Sequence, residues 1–161
     1  MTTQNIADLC AAHRQEGRSI VFTHGAFDLL HTGHITFLEN ARTHGDVLVV
    51  GVHLDRHIRA YKGRGRPFFP FVDRVRLVGA LRIVDAAVEC PDSNAVGLVR
   101  QIRPDVYVKD NQADVMRGPE AGVVASYGGR ICIVPYTPGI STSLIIGRLR
   151  DADRTRPVPY T

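Results

Sequence analysis

The chain has 161 residues, of which 44% are hydrophobic and 22% charged, a composition typical of one globular domain. Its formal net charge of +4 comes from basic residues dispersed along the chain, which argues against a nucleic-acid partner. No apolar run approaches the roughly 20 residues of a membrane span, and the polar N-terminus is unlike a signal peptide, so we expect a cytoplasmic protein with no membrane partner.

Apolar residues switch repeatedly between helical spacing and short continuous runs, which predicts alternating helices and strands. In chain order we expect a helix at 4–16, a strand at 19–23, a helix at 33–44, a strand at 47–52, helices at 54–60 and 71–83, a strand at 86–89, a helix at 94–102, a strand at 106–108, a helix at 117–126, a strand at 130–134 and a helix at 141–150. Gly45 is expected to cap the second helix, and residues 61–70 to form a loop.

This alternation of buried strands and helices predicts a parallel sheet covered on both faces. Right-handed crossovers then give a doubly wound, Rossmann-like α/β fold. We expect residues 1–161 to be a single domain with its core at about 19–149 and a C-terminal tail at 151–161. Ligands of such sheets bind beyond the carboxyl ends of the strands, where strand order reverses. His31, Lys109 and Ser141 each follow a predicted strand.

The cysteines Cys10, Cys90 and Cys132 are widely spaced, with no C-x-x-C pair. Their spacing suggests neither a zinc site nor a disulfide framework. We expect each to behave as a small buried hydrophobe.

The segment after the first strand reads T-H-G-A-F-D-L-L-H-T-G-H and ends at His34. Gly33 lets the backbone approach an anion without a side chain between them, and the N–H groups of the following helix favour phosphate. His31 and His34 lie three residues apart, so one helical turn can present both to the same ligand. Two alternatives for these histidines are a metal-binding pair and two structural surface residues, although acidic and cysteine ligands are sparse nearby. Asp28 could equally be a structural turn residue, and Phe27 a core residue.

The run from Gly25 to His34 (G-A-F-D-L-L-H-T-G-H) closely resembles the H-x-G-H nucleotidyltransferases. The resemblance is strongest to the group of glycerol-3-phosphate cytidylyltransferase and the nucleotidyl domain of ADP-heptose synthase, and it covers about residues 19–149. It implies transfer of a nucleoside monophosphate to an acceptor with release of pyrophosphate, and Mg²⁺ bound to the triphosphate. His31 and His34 would stabilise the charge that develops around the α-phosphorus.

Two basic residues in the middle of the chain also match the family. Lys62, in the loop Y-K-G-R-G-R-P, resembles the family's lysine that grips phosphate, and Arg74 resembles the arginine that faces the acceptor's phosphate. A solvated basic loop is the alternative. Lys62 and Lys109 are the only lysines among 20 basic residues, which hints at special roles for both.

The later motifs match in part. Lys109 resembles the lysine of the family's V-K-G segment, but Asp110 stands where the glycine is usual, near the expected phosphates. Ser141-Thr142-Ser143 resembles the family's S-T-T run, and Ser141 alone could be a plain N-cap. Tyr136 and Thr137 stand in the area where the family's cytidylyltransferases often have an arginine. His24 replaces an asparagine or tyrosine, and Glu120 matches a family glutamate.

These matches define a candidate site. The expected catalytic residues are His31, His34 and Lys62. The expected nucleotide contacts are Thr23, Gly25, Ala26, Phe27, Gly33, Lys109, Ser141, Thr142 and Ser143. The expected acceptor contacts are His24, Asp28 and Arg74, and no side chain is assigned as a metal ligand.

The resemblance favours CTP slightly as the nucleotide, with an acceptor that carries a phosphate or phosphonate. The alternatives are an adenylyltransferase that uses ATP and a sugar 1-phosphate of the heptose phosphate type, and a nucleotide sensor without turnover. A hydroxyl or flavin mononucleotide is a further acceptor that the fold could host. A homodimer is compatible with the sequence.

Overall fold

Short apolar runs form the five strands of the sheet, and helices connect them. The computed structural model describes residues 3–110, 118–135 and 137–154. The elements are α1 (Thr3–Gln15), β1 (Ile20–Gly25), α2 (Thr32–Arg42), β2 (Val47–His53), α3 (Asp55–Lys62), α4 (Phe71–Gly79), β3 (Ala86–Cys90), α5 (Val96–Ile102), β4 (Val106–Asp110), α6 (Pro119–Ser126), β5 (Arg130–Val134) and α7 (Thr142–Arg154).

The strands are all parallel and lie in the order β3-β2-β1-β4-β5, which confirms the predicted Rossmann-like sheet. Strand order reverses beside β1, because the chain first adds strands on one side of it and then adds β4 on the other. Every residue of β2 is buried, as expected for a central strand covered on both faces.

Two hydrophobic clusters cover the two faces of the sheet. On one face Phe22 and Tyr107 pack with residues of α1, α5 and α6. On the other face Val21 and Val50 pack with residues of α2 and α4. Because side chains alternate along a strand, the next residues on the Phe22 face at the carboxyl ends of β1 and β2 are His24 and His53.

Aspartates that precede three strands fix the opposite, amino edge of the sheet. Asp105 and Asp46 accept the backbone N–H groups of Ile20 and Ser19 at 2.7 and 2.9 Å, at the start of β1. Asp85 accepts the N–H of Leu48 in β2 at 2.7 Å. These bonds satisfy backbone donors that the ladder would otherwise leave unpaired.

Some element boundaries differ from the predicted ones. β1 and β4 run two residues further than predicted, because β1 continues to pair with β2 through Gly25 and β4 with β5 through Asp110. α4 ends at Gly79 rather than at residue 83. α7 runs to Arg154, so the predicted tail begins inside a helix.

Gly45 does not cap α2, whose C-cap is Thr43. A Cβ at Gly45 would lie 2.7 Å from Val21 Cγ2 and 2.9 Å from Ser19 Oγ, so the position needs glycine for close packing.

Several predictions lie outside the described residues: the departure at Tyr136, the segment 111–114 and the tail from residue 155. Within the described residues no helix is both long and apolar enough to cross a membrane. All three cysteines are free thiols; Cys10 and Cys90 are buried, and Cys132 is half-buried.

Candidate active site

A cavity with many polar groups on its walls opens where strand order reverses. Pairing between β1 and β4 consists of Val21↔Val106 and Phe22↔Tyr107, although β1 continues to Gly25 and β4 to Asp110. The carboxyl ends of the two strands therefore border a crevice, and a cavity of about 490 Å³ lies there. This is the position at which open α/β sheets bind their ligands.

The cavity brings together most of the predicted site. All the predicted residues line it except Thr23 and Arg74. Thr23 is fully buried within β1, away from the cavity. Phe37, His53 and Tyr61 also line the cavity and were not predicted to do so. Asp110 and Thr137, noted from the sequence only as departures from the family pattern, line it as well. His53 could have been found, because it ends a buried strand at the edge where ligands bind.

His31 and His34 form a stacked pair at the start of α2. Their ring centroids lie 3.8 Å apart with 21° between the planes. The backbone N–H of His31 donates to His34 Nδ1 at 3.4 Å, which leaves Nε2 as the protonated donor of a neutral His34 ring. Burial, and then the nearby positive charges of His31 and Lys62, lower the pKa of His34 to about 4. His34 is therefore neutral at physiological pH and can donate a hydrogen bond without being an acid.

Gly33 makes room for the His31 ring. A Cβ at residue 33 would lie 3.0 Å from both Cε1 and Nδ1 of His31 and 3.0 Å from Ile140 Cγ2. The glycine is thus needed for the packing of a histidine ring, a reason separate from the approach of an anion to the backbone.

A strained turn places these histidines. Phe27 and Leu29 adopt left-handed backbone angles, with φ of 48° and 47°, which cost energy in residues other than glycine. Between them Asp28 is buried, and its carboxylate accepts the N–H groups of Phe68 and Phe69 at 2.9 and 3.1 Å. Thr142 Oγ1 donates to the Asp28 carbonyl at 2.8 Å. Asp28 therefore joins the turn to the loop before α4 and to the start of α7, and its contact with an acceptor stays a prediction.

Arg74 is a buried structural residue, which corrects the expectation that it faces the acceptor. It is fully buried, and its guanidinium donates to the carbonyls of Phe69, Ala26 and His53. It also bonds the Asp55 carboxylate at 2.6 Å. Arginine can donate five N–H bonds, and these four partners leave little for a ligand.

The starts of two helices border the cavity. Gly33 belongs to the first turn of α2, and Ser141 to Ser143 form the start of α7. Ser141 Oγ accepts the N–H of Leu144 at 3.2 Å, so Ser141 caps α7 as predicted. Free N–H groups and the helix dipole make each such end attractive to phosphate.

Charged residues complete the cavity wall. Lys62 lies at the end of α3 and Lys109 near the end of β4, and both line the cavity with Asp110. Burial lowers the pKa of each lysine from its usual value. Below the crevice, His24 Nε2 lies 2.7 Å from Tyr107 Oη and 3.5 Å from Lys109 Nζ, so His24 belongs to a buried polar cluster.

Comparison with protein families finds a match between the cytidylyltransferase-like family and residues 22–148. The chain is 44% identical over 139 residues to the bifunctional protein HldE of Methylobacillus flagellatus. The aligned segment covers 84% of this chain and 28% of that protein. It is 39% identical over 152 residues to the protein of the same name in Streptomyces coelicolor, covering 94% of this chain and 33% of the relative. The chain thus spans a third or less of the length of these relatives.

A solved structure supports the same fold. The crystal structure of the lipopolysaccharide core biosynthesis protein from Thermoplasma volcanium aligns with a TM-score of 0.61 and 26% sequence identity. The alignment covers 74% of this chain and 97% of that one.

Replacing Gly33 by alanine should disturb the reaction more than the fold. The added Cβ would push the His31 ring, and a misplacement of about 1 Å in a catalytic group can cost ~100-fold in rate. Steady-state kinetics should show a fall in kcat of that order with little change in the free energy of unfolding. Gly122→Ala is the matched control, because nothing lies within 4 Å of its Cβ. Unchanged kcat in Gly33→Ala would contradict this role.

Replacing Arg74 by methionine should destabilise the protein by about 3–5 kcal/mol, because it leaves Asp55 and three carbonyls without their buried partner. Urea denaturation measures the loss. Arg76→Met, an exposed change on the same helix, should have little effect. An acceptor-binding role would instead give normal stability and a raised KM for the acceptor, and that result would overturn the structural assignment.

His34 should make stability depend on pH. Its pKa in the folded chain is about 4, below its value of about 6.5 in the unfolded chain. The unfolded chain therefore takes up the proton first, and stability falls as the pH drops from about 6.5 to about 4. The contribution is about 2 kcal/mol between about pH 7.5 and pH 5. Urea denaturation at the two pH values measures how much free energy of unfolding is lost on acidification. His34→Asn should lose about 2 kcal/mol less than the unmodified chain, whereas Asn40→Ala should lose as much as the unmodified chain. An equal loss in His34→Asn and the unmodified chain would contradict this prediction.

Proposed function

This chain belongs to the cytidylyltransferase-like family and is a nucleotidyltransferase, and from that premise we propose that it transfers the adenylyl group of ATP to a sugar 1-phosphate. The acceptor is of the heptose phosphate type, and pyrophosphate is the second product. The observation that carries the proposal is the convergence of the histidine pair and two helix N-termini on one cavity.

The cavity suits a triphosphate because it offers both N–H donors and positively charged side chains. Backbone N–H groups at the starts of α2 and α7 favour phosphate oxygens without requiring a counter-ion. Lys62 and Lys109 add positive charge on the walls. Neutral His34 adds a directed N–H donor beside His31.

In the proposed reaction an oxygen of the acceptor's phosphate attacks the α-phosphorus of the nucleotide. A new P–O bond forms as the bond to the β-phosphate bridging oxygen breaks, and pyrophosphate leaves with that electron pair. A phosphate dianion is already nucleophilic, so no residue needs to remove a proton. His31 and His34 donate to the oxygens on which charge develops, and the loss of one such donor is worth about 3–4 kcal/mol.

Mg²⁺ enters this reaction as part of the nucleotide substrate. Asp110 lines the cavity, and a carboxylate oxygen is a ligand that Mg²⁺ accepts alongside substrate phosphates. This arrangement would explain why an acidic residue is tolerated beside bound phosphates, where repulsion would otherwise weaken binding.

The relatives favour ATP over the CTP that the sequence motifs favoured slightly. They are named bifunctional protein HldE, the ADP-heptose synthase whose nucleotidyl domain is an adenylyltransferase. Because the chain spans a third or less of their length, we assign to it only the nucleotidyl reaction of these relatives. Cytidylyl transfer to glycerol phosphate or a small phosphonate stays the second candidate, on the F-D-L-L-H and G-I-S-T-S runs that begin at Phe27 and Gly139.

The purified chain, tested with ATP, CTP and GTP and a panel of acceptors, should release pyrophosphate fastest with ATP and a sugar 1-phosphate. The panel should include a heptose 1-phosphate, a hexose 1-phosphate, glycerol 3-phosphate and a small phosphonate. Greater kcat/KM with CTP would establish the second candidate. Tight nucleotide binding without turnover on any acceptor would identify a sensor and overturn the proposal.

The histidine variants test the mechanism separately from the substrate. His34→Ala should lower kcat by about 100- to 1,000-fold, the cost of removing one preorganised donor. His13→Ala is the control, because His13 lies on α1 and does not line the cavity. Full activity of His34→Ala would rule out this mechanism.

A further inference from the structure

A buried cluster of histidine and cysteine lies at the carboxyl edge of the sheet, beneath the crevice. His24, His53 and Cys90 end or nearly end the adjacent strands β1, β2 and β3, and all three are at least nine-tenths buried. One potential ligand atom from each lies within 4.8 Å of the others. His53 and Cys90 are register partners, which places their side chains on the same face of the sheet.

The sheet is shaped to bring His24 into this cluster. Its register partner on β2 is Gly51, and a Cβ there would lie 3.1 Å from His24 Cβ. The missing side chain lets His24 approach β2, where its Nδ1 lies 2.8 Å from Nε2 of His53.

Protein partners alone do not satisfy this cluster. Nδ1 of His53 is buried and has no hydrogen-bond partner among the described residues, which is unfavourable for a buried polar atom. An orphaned buried polar atom of this kind often marks an ion or water site. The Cys90 thiol lies 3.7 and 3.8 Å from the carbonyls of Asp92 and Asn94, and both contacts are weak.

We propose that His24, His53 and Cys90 bind a divalent transition metal ion of the zinc class. Two imidazoles and one thiolate are a ligand set that Zn²⁺ and Co²⁺ prefer, and a fourth position would stay open to water or substrate. Bonds of about 2.0–2.3 Å to a tetrahedral ion separate neighbouring ligand atoms by about 3.3–3.8 Å. The three atoms lie within 4.8 Å of one another, so shifts on the order of 1 Å would bring them to this spacing.

The surroundings supply the outer contacts of such a site. Nε2 of His24 lies 2.7 Å from Tyr107 Oη, which can accept its proton, so the tyrosine can orient the ring as an outer-shell partner. The Glu120 carboxylate lies 3.7 Å from the same nitrogen, beyond hydrogen-bond distance, and adds negative charge beside the imidazole. The ammonium group of Lys109, whose Nζ lies 3.5 Å from His24 Nε2, would repel a bound cation. The Cys90 thiolate and the Glu120 carboxylate together balance the charge of a 2+ ion, and Asp110 partly offsets the charge of Lys109.

Titration of the purified full chain with Co²⁺ tests the site without nucleotide or turnover, so its outcome is independent of the proposed reaction. We expect one ion per chain, tetrahedral ligand-field bands and a thiolate-to-cobalt charge-transfer band. Cys90→Ala should abolish that band, and Cys10→Ala, which removes another fully buried thiol, should keep it. His53→Asn should weaken binding more than ~100-fold, and Glu120→Gln about 10- to 100-fold.

Circular dichroism of each variant shows that it is folded before binding is compared, and Glu120→Gln retains a ligand set to test if Cys90→Ala does not fold. Absence of stoichiometric Co²⁺ binding would overturn the proposal. Binding without a charge-transfer band, or a band that persists in Cys90→Ala, would overturn it equally.

Discussion

The buried guanidinium of Arg74 is the contact on which the site depends. It binds carbonyls from the β1–α2 loop, the end of β2 and the loop before α4, together with the carboxylate of Asp55 on α3. A buried cation is costly unless its donors find partners, so this contact ties the four segments together. The strained turn that presents the histidine pair is attached at Ala26 to this arrangement.

Charged side chains contribute to this site in two ways. Arg74 and Asp28 use their charges on backbone groups and hold the loops in place. The cavity itself presents a neutral imidazole, two helix starts and two lysines whose ammonium groups are partly desolvated. An anion that enters therefore meets preorganised donors rather than a rigid salt bridge that must first break.

The sequence was sufficient for the fold and for most of the cavity lining. Continuous valine-rich runs identified the strands, and the position of His31, Lys109 and Ser141 after strands located the crevice. Arg74 was misjudged because a sequence shows a charge without its partners, and an arginine on an amphipathic helix resembles a surface residue. The cluster of His24, His53 and Cys90 has no spacing motif, because its members come from three strands that only the sheet makes adjacent.

The brief pairing of β1 with β4 also bears on how such proteins diverge. The two strands are joined at Val21 and Phe22 and leave their last residues facing the crevice. His24 and Asp110 at these carboxyl ends line the crevice, whereas the valine core below does not, so a substitution at either position can change the crevice wall while the core keeps its packing. A lineage can exchange one substrate for another at these few positions and retain the same scaffold.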